Sequence, residues 1–317
     1  MAGSQRTSPE LQLSGTLFHE HWWLSAVTGD NFREVTETAG GRLVGRLPFI
    51  LARRKGFKVM EMPPFTRVLG PIVEAGIGKP QTRMLRRFRI VGRLLDQLPD
   101  AHYFRQLLDV DNHEVQAFLD RGFQLSIENT FRLDCRVNGP EEVWANMRDK
   151  TRNLIRKAEG KYTVGAWGDV KEFIRFYIES IEKRGKKNEI DFTRFPILFS
   201  QCRTRGQGEI LVARTPQGRP AAAAFMVWGN GVMYYLLSAR DIALADSGAV
   251  SLLIWHAIQD AHRRALIFDC DGITSAASFQ FLSGFGGTIA TRLVAVRAAP
   301  VFGLLRYLRG QYFSGPG

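Results

Sequence analysis

Two aspartates, a pair of tyrosines and a short basic run are the side chains of this 317-residue sequence whose types and spacing could do chemistry. Leu266-Ile-Phe-Asp-Cys-Asp-Gly272 reads as a buried strand ending in acidic residues and a turn. Asp269 and Asp271 are two apart, so they are expected to point to opposite faces, and one of them can face a cleft. A carboxylate there could hold or deprotonate a substrate amine; a capping or salt-bridging aspartate at a strand end is the competing reading. Val232-Met-Tyr-Tyr-Leu-Leu-Ser238 reads as a second strand, on which Tyr234 and Tyr235 alternate, so at least one of them belongs to the core. Lys150, Arg152 and Arg156 form the basic group. Arg152 and Arg156 are i,i+4 neighbours with Lys150 expected nearby, a stripe able to grip phosphates or simply a solvated basic face.

Other chemistries find little support. His19-x-His21 lacks a third ligand, and His256 and His262 sit on a helix, so no metal site is expected. Cys135, Cys202 and Cys270 are odd in number and widely spaced, which fits a reducing cytoplasm better than a disulfide framework. No nucleophile elbow, Walker loop or dinucleotide fingerprint is present.

These residues need elements to position them. Ala249 to His262 places Leu252, Leu253, Trp255, Ile258 and Ala261 on one helical face, with Asp246 or Ser247 as the expected N-cap and Arg263-Arg264 at its negative end. Pro140 to Glu159 is expected to be one helix, Val143, Trp144, Met147, Thr151, Leu154, Ile155 and Ala158 sharing a face. Further helices are expected over 17–27, 81–98, 114–121, 170–184 and 197–203, with a short one over 279–287 that breaks at glycines. Strands are expected over 31–37, 42–51, 103–108, 131–134, 209–214 and 220–228, a basic turn over 53–58 and irregular chain over 59–75. The first fifteen residues read as a flexible lead-in without a secretory signal. The two halves echo one another. Gly41-Arg42 entering a strand matches Gly218-Arg219, helix 81–98 with strand 103–108 matches helix 249–264 with strand 266–270, and Phe118-Leu-Asp-Arg-Gly-Phe123 matches Phe281-Leu-Ser-Gly-Phe285. The inference is a tandem duplication of one α/β unit, residues 14–136 and 137–298, followed by a basic amphipathic tail over 299–317.

A hydrophobic content of 45% supports a sizeable core, and no apolar run approaches a membrane span. The net charge of +12 favours polyanions, whether RNA, an anionic membrane face or phosphate groups, without choosing among them. The tail Val301-Phe-Gly-Leu-Leu-Arg-Tyr-Leu-Arg309 mixes apolar and basic residues at helical spacing and could touch an anionic membrane.

In their order and spacing, Trp144…Lys150-Thr-Arg-Asn-Leu-Ile-Arg-Lys157, the strand Tyr234-Tyr-Leu-Leu-Ser-Ala239, Gly248-Ala-Val-Ser-Leu-Leu-Ile-Trp-His-Ala-Ile258, Phe268-Asp-Cys-Asp-Gly272 and Phe281-Leu-Ser-Gly-Phe-Gly-Gly287 resemble the tandem-GNAT, Fem-like acyltransferases. That family includes peptidyltransferases using aminoacyl-tRNA and the acetyltransferase-like proteins of exopolysaccharide clusters. The resemblance covers residues 17 to about 297 and implies an α/β fold of two fused GNAT-like units, each a mixed, mostly antiparallel sheet flanked by helices. It implies attack of an amine on an activated ester or thioester, with acyl-CoA or aminoacyl-tRNA as co-substrate and no permanently bound cofactor. The acceptor would be a small-molecule or lipid-linked amine, on a cell-envelope or polysaccharide precursor. By the same resemblance Asp269 matches the family's acidic strand position, with Asp271 as its alternative. Tyr235 and Ser238 lie where the sheet splays to admit the acyl group, Lys150, Arg152 and Arg156 lie near substrate phosphates, and Arg240, Gly248 and Ala249 lie near the donor's. Two departures stand out: the loop before the central helix lacks a glycine cluster, and Leu282 follows Phe281 where Fem-like enzymes often carry lysine. The implied location is cytoplasmic, with a peripheral inner-membrane association as an extension. A catalytically silent protein with a basic groove for RNA or anionic polysaccharide is the alternative; oligomeric state is left open.

Overall fold

The computed structural model describes residues 13, 15–244, 248–300 and 302–303. The first half runs α1 (His21–Thr28), β1 (Arg33–Ala39), β2 (Arg42–Phe49), β3 (Ala52–Arg54), β4 (Phe57–Met60), β5 (Ile72–Val73), α2 (Pro80–Asp96), β6 (Tyr103–Leu107), α3 (Val115–Leu119) and β7 (Gln124–Asp134). The second runs α4 (Pro140–Asn146), α5 (Asp149–Glu159), β8 (Thr163–Ala166), α6 (Val170–Glu182), α7 (Phe195–Thr204), β9 (Gly208–Arg214), β10 (Pro220–Gly229), β11 (Val232–Arg240), α8 (Ala249–Arg263), β12 (Ile267–Asp269), α9 (Ala276–Leu282) and β13 (Thr288–Ala298).

Strands from both halves form one ten-stranded sheet in the order β3-β4-β6-β13-β7-β12-β11-β10-β9-β8, beside a three-stranded sheet β1-β2-β5. The order reads alike from its middle outwards. β6 is parallel to β4 and antiparallel to β13, while β12 is parallel to β11 and antiparallel to β7. Each parallel pair is joined through a long helix, α2 or α8. The last strand of each half lies inside the other half's sheet, and β7 and β13 meet along nine residue pairs from Thr288↔Arg132 to Val296↔Gln124. The two halves are therefore joined through an exchange of terminal strands rather than built as two separate sheets.

The unbroken apolar run of β10 follows from this position. Ala223, Phe225 and Val227 face a core shared with α1, α6 and α7, whereas Ala222, Ala224 and Met226 face a core beneath α5 and α8. A strand covered on both faces has no polar side to alternate with. A third core, with Val44, Leu47, Val91, Leu94, Phe104 and Phe118, lies under α2 and α3.

Several sequence expectations are corrected. The single helix expected over 140–159 is two, because Met147 and Arg148 are extended. The basic turn over 53–58 is a β3–β4 hairpin, its Lys55 and Gly56 both at positive φ. The strand expected at 131–134 begins at Gln124, and β8 had no counterpart among the expected strands. Residues 1–12 and 14 of the lead-in and residues 301 and 304–317 of the tail lie outside the described residues, as do Asp246 and Ser247.

Candidate functional site

The two parallel strands β11 and β12 stay together for only three residue pairs, Val232↔Ile267 to Tyr234↔Asp269. β12 then ends, while β11 continues to Arg240. From Tyr235 onward the β11 edge therefore borders an opening instead of a strand. Within this segment the pairing to β10 slips: Phe225 opposes Leu237 and Met226 opposes Tyr235, so Leu236 is an extra, bulged residue. On a regular strand Tyr235 and Ser238, three apart, would face opposite sides. The bulge brings them to one side, and their hydroxyls are hydrogen-bonded to each other. Burial, partly opposed by the Ser238 hydrogen bond, pushes the Tyr235 phenol up to about 12. It is thus a proton donor at neutral pH, not a phenolate base. Tyr234 points the other way into the core, wholly buried.

The base of the opening is a buried charge cluster. Asp269 is fully buried: Oδ1 accepts from Thr130 Oγ1 at 2.6 Å and from the Asp271 N–H at 3.0 Å. Its Oδ2 accepts from Arg132 Nε at 2.7 Å and Arg292 Nη2 at 2.8 Å. Arg292 Nη1 reaches Asp271 Oδ1, and Arg67 Nε lies 2.7 Å from Asp271 Oδ2. Burial alone would raise the Asp271 carboxyl, but Arg67 and Arg292 hold it below the ordinary value. Burial would likewise lower the Arg292 guanidinium, and Asp269 and Asp271 more than offset it.

This geometry corrects the expected alternation. Asp271 lies past the end of β12 at a φ of +43°, so both carboxylates turn onto Arg292 instead of opposite faces. With both oxygens engaged and no exposed surface, Asp269 anchors β12 to β7 and β13 and is not placed to take an amine proton. Asp271 lies nearer the opening, through Arg67: that half-exposed arginine also donates to the bulged Leu236 carbonyl at 2.6 Å. Arg67, Arg132, Thr130 and Arg292 were missed by sequence reasoning. The available signal was Arg292 directly ahead of the apolar Leu293-to-Val296 run of a strand, in a chain carrying an Asp-x-Asp pair elsewhere.

At the far side of the opening stands α8. The residue ahead of its first turn is Gly248, left-handed at a φ of +72°. A Cβ there would sit 2.4 Å from the Leu154 carbonyl oxygen of α5, so glycine permits the close contact of the two helices. Ala249 begins the helix with its side chain buried, leaving only backbone for any contact with a ligand. Arg240 is exposed at the end of β11, and its N–H donates to Ser180 Oγ at 3.2 Å.

The basic stripe on α5 is only partly as expected. Lys150 and Arg152 are two apart and do not share a helix face. Arg152 turns back to cap α4, donating to the Trp144 and Ala145 carbonyls at 3.3 and 3.0 Å, and pairs with Asp149. Arg156 lies over the Trp144 ring, 5.3 Å from its centroid. Lys150 and Arg156 are both exposed without an ion pair among the described residues; Arg156 also donates to Asn153 Oδ1 at 3.2 Å, whereas Lys150 makes no side-chain hydrogen bond among them. Close by, Arg148 N–H donates to the Gly284 carbonyl at 3.0 Å, and a Cβ on Gly284 would meet Thr151 Oγ1 at 2.3 Å. Leu282 is a core residue against α4 and α8, so a lysine there would be buried.

Residues 144–276, which span α5 to β12 and hence the opening, match the acetyltransferase (GNAT) domain family. No curated protein matches the sequence. Among solved structures the chain is similar to FemX at 12% identity, covering 93% of this chain and 94% of that one with a TM-score of 0.64. It is similar to L-PGS from Bacillus licheniformis at 12% identity, covering 92% of each chain with a TM-score of 0.51. A tandem GNAT protein from the clavulanic acid biosynthesis pathway is 11% identical, with 85% of this chain and 84% of that one covered and a TM-score of 0.52. Residues 144–276 thus match the GNAT acetyltransferase domain family, and the chain as a whole shares the fold of FemX and of tandem GNAT structures.

Proposed function

We propose that this protein is an N-acyltransferase that receives the donor's acyl carbonyl in the opening between β11 and β12. The observation that carries this reading is the parting of the two strands after Tyr234 and Asp269, with the Tyr235–Ser238 hydroxyl pair at the point of parting. The acceptor amine attacks the acyl carbon, the N–C bond forms, and the C–S bond of a thioester or C–O bond of an ester breaks. Backbone N–H groups on the unpaired β11 edge stabilise the oxyanion. The Tyr235 hydroxyl gives its proton to the leaving sulfur or oxygen, and the proton lost by the amine passes through Ser238 or water to restore it. Arg240 and the amino end of α8, from Gly248 and Ala249, receive the donor's phosphates. Lys150 and the Arg67–Asp271 pair face the acceptor; Asp269, Arg152 and Arg156 keep the frame in place.

The GNAT domain match favours acyl-CoA as the donor. Aminoacyl-tRNA is the second reading, favoured by the net charge of +12. Calorimetric titration of the full chain with acetyl-CoA, and separately with charged and uncharged tRNA at two salt concentrations, tests both. Saturable micromolar binding of acetyl-CoA is the expected result. Silence toward acetyl-CoA with salt-sensitive preference for charged tRNA would move the donor to aminoacyl-tRNA. Equal binding of every RNA and none of acetyl-CoA would overturn the enzyme reading.

A further inference from the structure

The amino-terminal end of α2 combines unpaired cations with exposed apolar side chains. Residues 75–95 contain no aspartate or glutamate, but they contain Lys79, Arg83, Arg86, Arg87, Arg89 and Arg93. Three of these are committed: Arg86 to Glu74, Arg87 to Glu114 and Arg93 to Glu37. Lys79, Arg83 and Arg89 are exposed and make no ion pair or side-chain hydrogen bond among the described residues. Among these unpaired cations sit large apolar side chains that the fold leaves in water. Ile77 is 85% exposed at a loop tip between two left-handed glycines, Gly76 and Gly78, with Met84 62% and Leu85 49% exposed on the first turns of the helix. Beside them, between α2 and α3, lies a cavity of about 580 Å³ lined by Met84, Leu85 and Phe88 and also by Arg87, paired with Glu114, and by Gln116.

We infer that this end of α2 docks the protein on an anionic lipid bilayer, Ile77, Met84 and Leu85 entering the acyl boundary while Lys79, Arg83 and Arg89 contact lipid phosphates. The partner follows from charge and polarity together. An apolar protein partner would not require an acid-free stretch of twenty-one residues, and a nucleic acid would not take up exposed isoleucine, methionine and leucine. A bilayer with anionic headgroups satisfies both at once. The long stems of the basic residues let their charged ends reach the headgroup layer while the apolar side chains go deeper. The cavity is of a size and lining to accept part of a single acyl chain. No described helix is long and apolar enough to cross a membrane, so the contact is with one face of the bilayer. The inference does not depend on the acyl-transfer reading.

The test is co-sedimentation of the full chain with vesicles of phosphatidylcholine alone and of phosphatidylcholine mixed equally with phosphatidylglycerol, at low and high salt. Binding to the anionic vesicles, weakened by salt, is expected. The variant K79Q/R83Q/R89Q should lose about a hundredfold in affinity, and I77S/M84S at least about tenfold. Both should keep acetyl-CoA binding and thermal melting unchanged, since none of these residues touches the β11–β12 opening. Equal or absent wild-type binding to both vesicle types, or variants that bind like wild type, would overturn the inference. So would light scattering that finds a dimer which I77S/M84S converts to monomer, because the apolar face would then belong to a second copy of the chain. A failure of acetyl-CoA titration with intact vesicle binding would count against the acyl-transfer reading alone.

Discussion

Tyr235 and Asp269 both stand where chemistry was sought, and their surroundings differ. Tyr235 keeps its proton until about pH 12 and shares it with Ser238 beside unpaired backbone. Tyr235→Phe should therefore lower kcat for acyl transfer by about a hundredfold, with the donor's KM little changed. The pH–rate profile of the wild type should show no alkaline loss from phenol ionisation until well into the basic range. A fall in kcat smaller than a few-fold would remove Tyr235 from the reaction. Asp269, by contrast, is enclosed by Thr130, Arg132 and Arg292. Asp269→Asn leaves two buried guanidinium groups short of charge and should cost about 3–5 kcal/mol of stability, read as a lower urea midpoint at unchanged slope. Turnover per folded molecule should persist; its loss in a variant of normal stability would return Asp269 to the catalytic machinery. The acid pair and the tyrosine were visible in the sequence as residue types. Their surroundings were not, because these are made by Arg67, Arg132 and Arg292, which lie far away in sequence, and by the single extra residue at Leu236.

At the scale of elements, apolar periodicity located α2, α6, α8, β10 and β11, since each buries a face whose spacing is written locally. What it could not locate were interruptions imposed from elsewhere. The apolar face over 140–159 continues through Met147 and Arg148, yet the chain is extended there. The break is held by the Gly284 carbonyl, which accepts from Arg148 N–H, and by Arg152 folding back onto the end of α4. Glycines were similarly ambiguous. Gly248 suggested a donor-phosphate loop, and its measurable constraint is the contact with α5: a left-handed φ and a Leu154 carbonyl 2.4 Å from where a Cβ would lie. Gly248→Ala should destabilise the protein by more than about 1 kcal/mol from backbone conformation alone, and further because that carbonyl must move. Chemical denaturation would measure it. A neutral substitution would mean that α5 and α8 are not packed this closely in solution.

At the scale of the whole molecule, the internal repeat seen as matched sequence segments corresponds to a sheet whose strand order is mirrored about β13 and β7. Self-similarity could suggest two units, but not that they trade strands, because a strand's own residues do not name its neighbours. β7, from the first half, fills the place between β12 and β13; β13, from the second, fills the place between β6 and β7. Cutting the chain at 136/137 would expose β6, both edges of β7 and β12, and would remove Arg132 and Thr130 from Asp269 and Arg292. Long unpaired edges of this kind favour aggregation over folding. Residues 14–136 and 137–298 expressed separately should each lack a cooperative thermal transition, whereas the two fragments refolded together should regain one, together with any acetyl-CoA binding the intact chain has. A cooperative transition in residues 137–298 alone would mean that β12 and β13 can close on each other without β7. The exchange of strands would then be a consequence of fusing two stable units, instead of the condition for either unit to fold.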